Sequence, residues 1–169
     1  EPAPDRSRTN PTMGSSWTKP LADGRIVVVS AAGEDEVDGA YVEMAKPVVS
    51  NKEKRPSFVY AGRTRGHADI VMWWVDSASQ WTIGKFPRSL DVASSSKTWY
   101  IASAATGADV TGPLPPSTGW AVSAKAPTYG GVGIDPPPQC QVLAAGAVPP
   151  PAALGTMFVK GVGYAANGE

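Results

Sequence analysis

The sequence predicts an all-β chain, a small antiparallel sandwich or open barrel with extended Pro/Gly-rich N- and C-terminal arms. Three observations carry that expectation. The 169 residues include 18 glycines and 17 prolines; Gly costs about 1 kcal/mol at a helical site and Pro removes a backbone donor, so long helices are disfavoured. Only 18% of residues are charged, and few charges with many turn formers favour short strands joined by loops. Finally, β-branched and aromatic runs of strand length recur between turn residues: RIVVVS, SFVYAG, IVMWWV and WTIG.

The totals bound the remaining choices. A chain of this length buries one core, so one domain with tails is expected. Formal net charge is zero and the pI is about 6.9, which argues against a dedicated binder of nucleic acid or anionic membrane. Cys140 is the only cysteine, so no internal disulfide can form. No apolar run approaches the ~20 residues that span a bilayer, so no transmembrane segment is expected. The chain starts at Glu1 without a signal-like apolar core, as a processed form or a piece of a longer protein would.

Taken in order, residues 1–24 show no periodicity and carry four prolines, and are read as an extended arm. Its Trp17 is expected to dock, on the domain's own edge or on another subunit. Residues 25–30 form the first strand. Glu34, Asp35, Glu36, Asp38 and Glu43 follow as an acidic patch, read as a solvated turn because its spacing matches no calcium loop. Asp38-Gly39 signals a tight turn before Tyr41, and Val42–Val49 reads as a strand ended at Pro47.

The stretch from Arg55 to Gly84 is the organising one. In SFVYAG, Phe58 and Tyr60 share a face and Val59 takes the other. Lys52, Lys54, Arg55, Arg63 and Arg65 set a local positive excess against Glu53, beside the acidic patch in sequence. Such a dipolar surface suits a charged protein partner; two solvated loops are the plainer alternative. His67, the only histidine, has no second metal-ligating or nucleophilic partner nearby. IVMWWV is apolar on both faces and is expected to be a central strand covered on both sides. A hairpin then returns through Trp81 and Ile83. Trp73, Trp74 and Trp81 are read as core, with a stacking platform as the alternative, and one of the adjacent pair is free to face solvent.

Further short strands are expected at Trp99–Ile101 and Gly119–Val122. From Ala104 onward the chain holds five charges, ten prolines and eleven glycines. Its PPP runs favour extended polyproline conformation lying along a partner. The domain reading is therefore an arm over 1–24, a β domain over 25–125 and an extended tail over 126–169.

The order of these elements resembles a tryptophan-containing β module found in proteins of algae and other protists. Gly39 and Tyr41 stand at its V-x-G-x-Y turn and Arg55, Pro56 and Tyr60 at its R-P strand. Trp81, Ile83 and Gly84 stand at its W-x-I-G strand, and Gly119 and Trp120 at its final G-W-x-V. The match covers roughly residues 25–125, and the N-G-R-P element departs, reading Asn51-Lys52-Glu53-Lys54-Arg55-Pro56. Such modules look like interaction or structural units with no catalytic residues to carry over. The resemblance implies a photosynthetic or other protist source.

The function expected from all this is a non-catalytic structural or accessory subunit, without cofactor or metal, that docks on other subunits of a larger assembly. A plastid photosynthetic complex is the suggested host and an organelle the suggested location. Trp17, Arg55, Arg63, Arg65, Trp73 and Trp74 are the candidate partner-binding residues. The alternative is a lectin-like module that stacks sugars on an exposed Trp73 or Trp74.

Overall fold

Among the described residues, eight strands, each antiparallel to its neighbours, form one sheet that curls into a nearly closed barrel. They are β1 (Ile26–Ser30), β2 (Gly39–Glu43), β3 (Phe58–Tyr60), β4 (Ala68–Val75), β5 (Gln80–Pro87), β6 (Lys97–Ala102), β7 (Trp120–Val122) and β8 (Gln139–Leu143). The computed structural model describes residues 20–62, 68–87, 97–123 and 133–148. Strands β1 to β7 make a meander, and β8 returns to pair with β1, so the order across the sheet is β7-β6-β5-β4-β3-β2-β1-β8. The all-β expectation holds.

Alternation sets the interior. Side chains two apart share a face of a strand, and the registers bring one set of rows together. Val27 and Val29, Tyr41, Phe58, Ile70, Met72 and Trp74, Trp81 and Ile83, Tyr100 and Cys140 all join one buried cluster. Trp74 lies directly across from Trp81, with ring centroids 5.8 Å apart in an edge-on arrangement. Such pairs add about 0.5–1.5 kcal/mol beyond their buried area. The Tyr41 hydroxyl donates to the Val37 carbonyl at 2.8 Å, which satisfies a polar atom deep in the packing. The lumen is thus filled by large side chains, as expected for a barrel of about eight strands.

Strand β4 is covered on its other face too. Val59, Val71, Trp73 and Met44 form a second buried cluster on the outside of the barrel. The β2–β3 connection folds back there: Met44 N–H donates to the Ser57 carbonyl at 2.9 Å and Val48 N–H to Ser57 Oγ at 3.1 Å. Strand β2 accordingly stops at Glu43, shorter than the Val42–Val49 strand expected, because this segment is used as a cover.

One barrel mouth is sealed by residues 103–119. A single 3-10 turn at Ala104–Thr106 opens the segment, with Ser103 and Thr106 capping each other. Val110 and Leu114 then pack on the interior cluster, and the Trp120 indole N–H donates to the Pro116 carbonyl at 3.0 Å. Beside β8 this segment contributes Ser117, whose carbonyl accepts from Cys140 N–H at 3.0 Å. Pro115 and Pro116 have no N–H to extend that pairing, so the seam stops short of a full strand ladder.

Strand β8 corrects the domain reading. It lies inside the stretch expected to be an extended tail, yet Gln139–Leu143 pairs residue for residue with Ile26–Ser30. Its low charge and flanking prolines resembled a partner-bound arm, while the apolar positions Cys140 and Val142 fill the interior between β1 and the seam.

Candidate functional site

The outward row of β5 is Gln80, Thr82 and Gly84, the residues that alternate with inward Trp81 and Ile83. Thr82 lies between Trp73 of β4 and Ile101 of β6 across the registers. A short residue between two bulkier ones makes the outer surface dip along β5. The dip is an open groove of about 350 Å³, also reached by Thr98 and Ser123. The turn Asp76–Ala78 closes one side, and Ser79 holds it in the left-handed region at φ 47°.

Thr82 is 2% exposed, and its Oγ1 has no hydrogen-bond partner. Ser123, which also lines the groove, is equally buried. A buried hydroxyl without a partner is costly and uncommon. None of the described residues lining the groove carries a charge. Among the described residues two other buried side-chain atoms share Thr82's condition, Trp81 Nε1 and Arg55 Nη1; Trp81 belongs to the packed interior.

The candidate residues read from sequence do not gather in one place. Trp17, Arg63 and Arg65 lie outside the described residues, as does His67. Arg55 is 5% exposed, and its guanidinium carbon sits 3.6 Å from the centroid of the Trp74 ring. It is ion-paired to Glu53 and donates through Nη2 to the Val110 carbonyl at 3.0 Å, so its charge is spent inside the protein. Trp74 is 2% and Trp73 6% exposed. Trp74 packs inside and donates its indole N–H to Asp76 at 3.0 Å, whereas Trp73 walls the groove outside. Neither offers the open ring face that an exposed stacking platform requires.

Of the dipolar surface, the acidic turn connects β1 to β2 and the Lys52–Arg55 segment connects β2 to β3, so strand β2 carries these two to opposite ends of the barrel; its other positive residues, Arg63 and Arg65, lie outside the described residues. Three members of the acidic patch make structural contacts. Asp38 accepts from Ala32 N–H at 2.9 Å, and burial raises its pKa against that hydrogen bond. Glu36 pairs with Lys85 at 2.8 Å. Glu43 pairs with Arg25 at 2.7 Å, and its hydrogen bonds from Arg25 hold its carboxyl below the ordinary value. Burial pushes the Cys140 thiol far up, which leaves it an inert core group.

The groove residues Gln80, Thr82, Thr98, Ile101 and Ser123 were missed by sequence reasoning. The available signal was the small polar Thr82 between two inward apolar residues, which marks an outward position but not a dip. Searches against family models, curated proteins and solved structures found no match to this chain.

Proposed function

We propose that this chain is a non-catalytic structural or accessory subunit that docks on a larger protein assembly by the outside of its barrel and by its flanking arms. The observation that carries this reading is the packed lumen: Tyr41, Phe58, Trp74, Trp81 and Tyr100 occupy the space where a ligand-carrying barrel keeps its chamber. Recognition is left to the outer surface. There the large side chains of Leu21, Val49, Ile134 and Val148 are exposed, Val148 most of all, at the approach to the second PPP run. The host assembly suggested by the sequence resemblance is a plastid photosynthetic complex.

Native purification tests this reading, with crosslinking and mass spectrometry of whatever co-migrates. The expected result is co-migration with a large complex and crosslinks from Lys46, Lys52 and Lys54 to a neighbouring subunit. A free monomer in native extracts, with intramolecular crosslinks only, contradicts it.

A further inference from the structure

We propose that the groove over β4–β6 binds a neutral, hydroxyl-rich ligand of the carbohydrate class. The inference is independent of the docking reading and rests on different residues. Its starting point is Thr82, a groove-lining residue whose buried Oγ1 has no hydrogen-bond partner. Such a hydroxyl gains a hydrogen bond from a polar group that reaches it through the groove.

The surroundings define that group. Gln80, Thr98 and Ser123 each donate and accept hydrogen bonds, as sugar hydroxyls do. No charged side chain among the described lining residues is present to compensate a charged ligand, so desolvation selects for a neutral one. Ile101 and Val75 supply apolar walls for the C–H faces of a ring. At about 350 Å³, the space lies toward the small end of the range for small-molecule sites, roughly 300–1,000 Å³.

A polypeptide fits less well. Peptides that bind sheets usually add to an unpaired edge, where backbone groups are free. Strands β4, β5 and β6 are each paired on both sides, so the groove offers side chains alone. Those side chains are short, uncharged and mixed in donor and acceptor character, which suits hydroxyls better than an amide ladder.

The test uses the full chain and a panel of neutral oligosaccharides (glucan, galactan, mannan and xylan fragments), with binding followed by calorimetry and tryptophan fluorescence. Thr82→Val keeps the side-chain shape and removes the hydroxyl; Ile101→Trp fills the groove from its rim. The expected result is that one class of oligosaccharide binds, about tenfold more weakly to Thr82→Val, while that variant melts no lower than the wild type. Ile101→Trp is expected to abolish binding. The proposal is overturned if no oligosaccharide binds, or if binding is unchanged in Thr82→Val. It is also overturned if an uncharged peptide panel binds in a Thr82-dependent way where the sugars do not.

Discussion

Arg55 shows how a side chain that looks like a surface contact becomes a latch. It ties the β2–β3 connection to the segment sealing the barrel mouth, through the Val110 carbonyl, and its guanidinium carbon lies 3.6 Å from the Trp74 ring centroid, within cation–π range. Arg55→Ala leaves the Val110 carbonyl and the Trp74 face without this partner. It is expected to cost about 2–4 kcal/mol in urea unfolding, and Arg55→Lys to recover little, because a point charge cannot make the forked contact. A loss below about 1 kcal/mol would show that the latch is dispensable. The Arg25–Glu43 pair gives a pH signature. Because the folded Glu43 pKa is depressed, its stabilisation is present above the ordinary value of 4.5 and is lost as pH falls through the lowered folded value. Glu43→Gln should therefore flatten the acid limb of a stability–pH curve while lowering the neutral plateau.

At the scale of elements, two glycines with the same backbone angle make a controlled comparison. Gly107 and Gly119 both have φ +82°, but a Cβ at Gly107 meets nothing within 4 Å, whereas one at Gly119 runs into the backbone of Ala108. Gly107→Ala is expected to cost about 1–2 kcal/mol, the left-handed penalty alone. Gly119→Ala should cost clearly more, because residues 103–119 must also shift; equal losses in thermal melts would refute the account. Other positions show the same dependence on packing. Gly39 is needed because a Cβ would approach Tyr60 Cε2 to 2.6 Å, Trp81 and Ile83 are fully buried, and Arg55 and Trp120 anchor the mouth segment. These are the positions that fold the barrel. Their order was legible in the sequence because each has a local signature, such as a turn glycine, an alternating aromatic or a capped strand end. The bulge in β6 was not legible: Ile83 pairs with Tyr100 but Gly84 with Thr98, so Trp99 is an extra residue that only the three-dimensional packing accommodates.

For the whole molecule, the part hardest to read was closure. Strand β8 pairs with β1 more than a hundred residues upstream, and no local pattern encodes so distant a partner. The groove escaped for a similar reason, since Trp73, Thr82, Ile101 and Ser123 come from four stretches that meet only in the sheet. A chain ending at residue 125 tests closure. Without Cys140 and Val142 the interior beside Val27 and Val29 opens, so this chain should lose its cooperative unfolding transition and bind hydrophobic dye; cooperative melting at the full-length temperature would contradict that expectation. A barrel with a filled interior meets other molecules from outside, and its place in an assembly is the central claim. The most direct measurement is the native mass of the protein in extracts of its source, read together with crosslinks. Migration in a large complex, with crosslinks from Lys46, Lys52 or Lys54 to another subunit, is the predicted result. A monomer that migrates alone and crosslinks only to itself would contradict it.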